Sequence, residues 1–108
     1  IDSDAVNELD TYIMNNEDLY RRRFMPIISN IKRKLAKNVY DHEKAQTLWM
    51  YLVDDAAKEY VKEFGSQQDD VKDMFPKETR QQVAQVISDR ELENIKQGEY
   101  DAPPGTVS

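Results

Sequence analysis

The chain has 108 residues, of which 33% are charged, a net charge of −6 and no cysteine. This length suits one domain, and the missing cysteines exclude disulfides and thiolate metal sites. No apolar run approaches the roughly 20 residues that span a bilayer, so we expect a soluble protein with no membrane segment.

A first helix is predicted near the amino terminus. Ser3 is the expected N-cap, with Asp4 favourably placed in the first turn. The apolar residues recur at helical spacing and form one side of this helix: Ala5, Val6, Leu9, Tyr12 and Ile13. Asn15 and Asn16 interrupt the pattern, so the helix should end there.

A second helix is predicted to start at Asn16, which is followed by two acidic residues. Its apolar stripe comprises Tyr20, Phe24, Ile27, Ile28, Ile31 and Leu35. Pro26 removes a backbone donor, and because the stripe keeps its phase across it, we expect a kink with Pro26 on the solvent side. Asn38 tolerates the left-handed conformation and suits the end of this helix.

The third predicted helix is the longest, with Asp41 as N-cap and Gly65 ending it in the left-handed conformation. Its apolar residues are Ala45, Leu48, Trp49, Leu52, Val53, Ala56, Tyr60 and Phe64. A stripe this strong must be covered by other helices, which predicts a small helical domain.

In the carboxyl-terminal third, the sequence predicts a short helix or structured loop that packs Val71, Met74 and Phe75 against the bundle. A fourth helix is predicted from about Lys77 to Gln97. The fourth helix starts with an apolar side of Val83, Val86 and Ile87, but this side then meets Arg90 and Asn94. We therefore expect its last turns to bend, fray or cover a different surface.

These elements predict an all-α fold. We expect one domain over residues 1–98, a compact bundle of three main amphipathic helices plus a carboxyl-terminal helix. Its centre should contain Ile28, Ile31, Trp49 and Leu52. Residues 99–108, with two prolines and a glycine, predict a flexible carboxyl-terminal tail.

Positive charge is concentrated in one segment. Residues 17–37 carry a net charge of +5, whereas residues 1–16, 38–75 and 76–108 carry −4, −5 and −2. The cations opposite the isoleucine stripe form a candidate nucleic-acid or anion patch: Arg22, Arg23, Arg33, Lys34 and Lys37. The alternative is that this face pairs with acidic helices of the same or a neighbouring subunit.

Residues for catalysis are sparse. His42 is the single histidine, which excludes multi-histidine metal sites, and there is no phosphate-binding glycine loop. Asp54 and Asp55 are expected on the outer face of the third helix. The cluster of Asp69, Asp70 and Asp73 lacks the pattern of an EF-hand. We therefore expect no enzymatic activity, no cofactor, no metal and no small-molecule substrate.

Four apolar residues fall outside the main stripes and form a candidate partner surface: Met50, Tyr51, Leu92 and Ile95. Such residues mark an oligomer or partner contact when they lie together on the surface.

The run from Leu19 to Gly65 resembles small uncharacterised helical proteins carried by bacteriophages, including aquatic ones. The similar parts are a proline followed by two isoleucines, the basic RK, the VYD connection, LWMYLVD, KEFG and the later MFPKETRQQVA. Asn38 stands where such proteins prefer glycine. The resemblance implies a phage or mobile-element origin, the cytoplasm of a bacterial host and no assigned activity.

The combined expectation is a non-enzymatic binding or accessory protein that acts through protein–protein contact or self-association. The alternative is a nucleic-acid-binding module that uses the basic face of residues 21–37.

Overall fold

A computed structural model of the chain describes residues 2–66 and 68–101, and these residues are helical or lie in connecting turns. The helices are α1 (Ser3–Met14), α2 (Glu17–Leu19), a π-helical stretch (Tyr20–Phe24), α3 (Met25–Ala36), α4 (His42–Phe64), α5 (Val71–Met74) and α6 (Lys77–Lys96). The all-α prediction is confirmed. Among the described helices, none combines the length and the apolar character needed to cross a membrane.

Side-chain hydrogen bonds cap the amino-terminal ends of α1, α2 and α4. The Asp2 carboxylate accepts from the Asp4 N–H at 3.0 Å, so the cap of α1 lies one residue before the predicted Ser3. The two other predicted caps are confirmed, since Asn16 accepts from the Leu19 N–H and Asp41 accepts from the Lys44 N–H. Each cap satisfies a backbone donor that has no partner within its helix.

The helix around Pro26 runs on without a break, but it contains a π-helical turn. The Met25 N–H bonds to the Tyr20 carbonyl, five residues earlier, directly before the exposed Pro26. The wider turn adjusts the backbone where a proline ring would otherwise meet the carbonyl of the preceding turn. It also changes the buried stripe, because Leu19 is buried with Phe24, whereas Tyr20, expected on the stripe, is exposed.

The ends of the two central helices differ in conformation. Asn38 has φ 57°, as predicted from the tolerance of asparagine for the left-handed region. Gly65 has φ −85°, so its predicted left-handed conformation is wrong. A close approach explains the glycine instead, since a Cβ atom at this position would lie 2.6 Å from the Val61 carbonyl oxygen.

The core lies around α4, which packs against α1, α3 and α6. The four residues predicted at its centre are all buried: Ile28, Ile31, Trp49 and Leu52. The Phe24 and Trp49 rings lie 5.2 Å apart between centroids, which joins the π-helical stretch to α4. Burial of these large apolar side chains is the main favourable contribution to folding.

The packed domain extends beyond the predicted boundary at Gly98. Tyr100 is half-buried, with its ring centroid 6.5 Å from that of Phe24. Lys32 Nζ donates to the Tyr100 carbonyl at 3.2 Å and pairs with Asp101 at 3.0 Å. Tyr100 and Asp101 therefore contact the domain, whereas the prediction assigned them to a flexible tail; residues 102–108 of that prediction lie outside the described residues.

Two neighbouring residues of α4 test the position of the core. Leu52 is 1% exposed, whereas Tyr51 is 61% exposed. We expect Leu52→Ala to lower the free energy of unfolding by about 2–5 kcal/mol, through lost burial and a cavity. Tyr51→Ala should change it by less than about 0.5 kcal/mol. Urea denaturation followed by circular dichroism measures both, and equal losses would contradict the burial of α4.

Candidate functional site

The five candidate cations divide into two groups. Arg22 pairs with Asp18 of its own helix at 2.8 Å and with Glu59 of α4 at 3.4 Å. Arg23 pairs with Asp55 of α4. These two arginines therefore follow the alternative prediction, in which the basic face pairs with acidic helices of the same chain. Although exposed pairs of this kind contribute only about 0–1 kcal/mol each, they neutralise the upstream half of the basic face.

The second group lies in the last turns of α3. Within residues 2–66 and 68–101, Arg33, Lys34 and Lys37 have no carboxylate at ion-pair distance. Arg33 and Lys37 are exposed, and Lys34 is half-buried. Their charge complements the carbonyl ends of α3 and remains available to a molecule outside the domain.

A pocket of about 240 Å³ lies between α3 and the first turns of α4, next to these cations. Its lining residues are Asn30, Ile31, Lys34, Tyr40, Asp41, Lys44, Ala45 and Leu48. Ile31, Ala45 and Leu48 supply apolar surface, and two lysines bring positive charge to the lining. This pocket is termed the basic pocket, and together with Arg33 and Lys37 it is termed the basic end.

Hydrogen bonds already hold several polar groups around the basic pocket. The Asp41 carboxylate accepts from the Lys44 N–H at 3.2 Å as the cap of α4. The Tyr40 hydroxyl lies 3.2 Å from His42 Nδ1, so the single histidine is held by a hydrogen bond beside the pocket. Burial raises the pKa of Tyr40, and the negative charge of Asp89 on α6 adds to this.

The four residues of the candidate partner surface do not form one exposed surface. Tyr51 is largely exposed, but Met50 and Leu92 are partly buried against the core. Ile95 is 8% exposed and belongs to the core, so its assignment to a partner surface is corrected. The reason is that the buried side of α6 continues at a spacing of four residues from Ile87 through Glu91 to Ile95.

Glu91 was missed by the sequence analysis because a charged residue interrupts an apolar pattern. It is 1% exposed, and its carboxylate accepts hydrogen bonds from Arg90 Nε at 2.9 Å, Asn94 Nδ2 at 3.2 Å and the Tyr100 hydroxyl. Arg90 also makes a bidentate pair with Asp10 of α1, at 2.8 and 3.0 Å. This network, termed the Glu91 network, joins α1, α6 and the segment after α6.

The environment of the Glu91 network raises the pKa of two of its members. The pKa of Tyr100 is raised, first by burial and then by its hydrogen bond to Glu91. The pKa of Arg90 is raised chiefly by its hydrogen bond to Asp10. The hydroxyl therefore stays a donor and the guanidinium stays charged, which satisfies the buried carboxylate.

The two carboxylates expected on the outer face of α4 are bound between helices. Asp54 pairs with Arg80 of α6 at 2.6 Å, and Asp55 pairs with Arg23. Both are only partly exposed, so the outer face predicted for them lies at a contact between helices. Across the part of the chain that the structure describes, no group of three or more His, Cys, Asp or Glu residues could hold a metal ion.

A cluster of aromatic rings and carboxylates lies at the other end of α4. The Tyr60 ring centroid lies 5.2 Å from that of Tyr12 and 4.9 Å from that of Phe64. The Tyr12 hydroxyl donates to Glu63 at 3.0 Å, and the Tyr60 hydroxyl donates to Glu8. Phe64, expected in the core, is 60% exposed. These five residues are termed the acidic aromatic end.

Comparison of the chain with protein-family models, with curated proteins and with solved structures gives no match. The candidate sites therefore rest on their own geometry and charge.

The acidic aromatic end predicts a loss of stability at high pH. The hydrogen bond to Glu8, followed by burial, raises the pKa of Tyr60 from 10.0 to about 12. A raised folded-state pKa stabilises the fold below pH 10, and this stabilisation is lost as the pH rises through about 12. We expect a loss of up to about 3 kcal/mol from this group, since one pKa unit corresponds to about 1.4 kcal/mol.

Urea denaturation at about pH 9 and about pH 12 measures this loss. Tyr60→Phe removes the ionisable hydroxyl and should reduce the difference between the two pH values. Tyr51→Phe, at an exposed position of the same helix, is the matched control. An unchanged pH dependence in Tyr60→Phe would contradict the role of this hydroxyl.

The Glu91 network predicts coupling between two residues. Glu91→Gln removes a charge beside Arg90 and should cost about 1–3 kcal/mol, and Tyr100→Phe should cost about 1 kcal/mol. Since the two side chains share one hydrogen bond, the double variant should lose less than the sum of the single losses. Urea denaturation of the unchanged chain, the two single variants and the double variant completes this double-mutant cycle. Strictly additive losses of unfolding free energy would contradict the hydrogen bond between Glu91 and Tyr100.

Proposed function

We propose that this chain is a non-enzymatic binding protein that acts through protein–protein contact, with the basic end as its contact surface. The partner is an acidic segment that carries an apolar side chain. One observation carries this proposal: in a chain of net charge −6, three cations without carboxylate partners among the described residues lie beside a pocket with apolar lining.

The combination of charge and apolar surface favours a protein partner. Lys34 and Lys44 line the same pocket as Ile31, Ala45 and Leu48. An apolar side chain in the pocket would lose contact with water, while carboxylates around it would lie opposite the lysines. Electrostatic complementarity of this kind selects the partner and speeds its approach, and both effects weaken with salt.

A nucleic acid is the alternative partner, and the pairing of Arg22 and Arg23 weakens it. Their carboxylate partners would have to be displaced before these two arginines could neutralise phosphates. The remaining cations of the predicted patch give a small footprint on a chain that is negative as a whole.

The non-enzymatic part of the proposal is supported by the state of the carboxylates on α4. Asp54 and Asp55 are each held by a different arginine, Arg80 and Arg23, rather than facing one another across a cleft. We also propose an origin in a phage or mobile element and a place in the cytoplasm of a bacterial host, and both rest on the resemblance of residues 19–65.

The test is binding of a labelled synthetic peptide of alternating Glu and Phe, measured by fluorescence anisotropy. The triple variant Arg33→Glu, Lys34→Glu, Lys37→Glu should bind it at least about tenfold more weakly, because attraction becomes repulsion. A peptide of alternating Glu and Ser should bind more weakly than the Glu–Phe peptide, since it lacks the apolar side chain.

A matched control reverses three exposed lysines elsewhere: Lys72→Glu, Lys77→Glu and Lys96→Glu. This variant has the same net charge as the first and should keep most of the peptide affinity. Equal losses of peptide affinity in both triple variants would mean that net charge alone explains the effect, and this would contradict the proposal. Labelled DNA and RNA that bind more tightly than the peptide, and lose binding in the first triple variant, would favour the nucleic-acid alternative.

A further inference from the structure

The two ends of α4 carry surfaces of opposite charge. The basic pocket contains Lys44 of the first turn, and the acidic aromatic end contains Glu63 and Phe64 of the last turn. Lys44 and Glu63 are about 28 Å apart at 1.5 Å per residue. Because charges are screened over about 8 Å at physiological ionic strength, the two ends cannot neutralise each other within one chain.

We propose that the partner of the basic end is the acidic aromatic end of a second copy of this chain. In this contact Phe64 of one copy enters the basic pocket of the next. Glu63 and Glu8 then lie opposite Lys34 and Lys44. The inference rests on the proposed function and names its partner.

The acidic aromatic end has the chemistry that the basic pocket requires. Phe64 is the large apolar side chain at this end that is mostly exposed, and the rings of Tyr12 and Tyr60 support it from one side. The two tyrosine hydroxyls donate to Glu63 and Glu8, which holds these carboxylates beside the aromatic cluster. The pocket volume of about 240 Å³ accommodates one aromatic side chain.

Each end also contains charges of the wrong sign. Asp41 lines the basic pocket, but its carboxylate already accepts the Lys44 N–H as a helix cap. Lys62 lies beside Glu59 and Glu63 in a shallow depression at the acidic aromatic end. Glu59 pairs with Arg22, so Glu8 and Glu63 remain against Lys62, and the balance at this end stays negative.

The contact joins two unlike surfaces, so each copy keeps one end of each kind available. Contacts of this type form rings when the rotation between copies closes, and open chains when it does not. Tyr51, the other strongly exposed aromatic of α4, points about 140° away from Phe64 at 100° per residue. It lies outside the proposed contact.

Sedimentation velocity of the full chain is the first measurement. The weight-average sedimentation coefficient should rise with protein concentration from about 10 µM to about 1 mM, the range of weak contacts. The rise should be smaller at about 1 M than at about 0.1 M NaCl, since the screening length falls from about 10 Å to about 3 Å. A monomer at every concentration in low salt would overturn the inference.

Two blocked variants make the test specific. Lys34→Glu with Lys44→Glu blocks the basic pocket, and Glu63→Gln with Phe64→Ala blocks the acidic aromatic end without making it positive. Lys44→Glu brings a favourable charge to the first turn of α4, and Glu63 and Phe64 are exposed, so these variants should stay folded, which circular dichroism checks. Each variant alone should associate at least about tenfold more weakly than the unchanged chain.

An equimolar mixture of the two blocked variants should form a one-to-one complex and nothing larger, because each copy then keeps one working end. Tyr51→Ala is the control and should associate like the unchanged chain. No complex in the mixture would overturn the inference, as would association of either variant alone at full strength or its loss in Tyr51→Ala.

The outcomes separate this inference from the function on which it rests. If the chain and the mixture stay monomeric while the Glu–Phe peptide binds the basic end, the second copy is not the partner and the proposed function stands. If neither the peptide nor a second copy binds, both proposals fall.

Discussion

The burial of one face of α4 along most of its length is the constraint on which the remaining structure depends. Trp49 and Leu52 are buried on α4, which packs against α1, α3 and α6, so each neighbouring helix must present an apolar side to the same axis. The consequence is that the polar residues of α4 are left at the seams between helices and at its two ends. There they form inter-helix pairs, as Asp54 and Asp55 do, or remain available, as Lys44 and Glu63 do.

The charge distribution follows from this packing. A chain with five cations on one predicted helix face could present them all to a partner, but α4 lies close enough to take up the first two. Arg22 and Arg23 contact acidic residues in the carboxyl-terminal half of α4, whereas Arg33, Lys34 and Lys37 lie beside its amino-terminal end. Since α3 and α4 run in opposite directions, neutralisation is confined to one end of the pair. The other end keeps its positive charge, and the proposed protein contact rests on this asymmetry.

The sequence predicted what depends on local periodicity and local hydrogen bonds. The long stripe of α4 predicted the core at Trp49 and Leu52, and short polar residues before the helices predicted the caps at Asn16 and Asp41. What it missed depends on how the helices and the segment after α6 pack together. Glu91 reads as a surface residue until Tyr100 and Arg90 are brought to its carboxylate, and Ile95 was misassigned as a result. Phe64 continues the stripe in sequence but lies beyond the helices that would cover it. The basic end could be predicted as a set of charges, but its pocket could not, because it requires the relative placement of α3 and α4.

The π-helical stretch has a consequence for how this fold tolerates changes in chain length. In a regular α-helix, Leu19 and Phe24 would project about 140° apart, and one of them would face water. The wider turn between them rotates α2 so that both are buried. Deletion of one residue in this stretch would change the direction in which Leu19 projects by about 100° and turn it away from the core, whereas the downstream helix would keep its register. The five residues Tyr20–Phe24 therefore set the rotation of α2 relative to α3, and the burial of Leu19 depends on it.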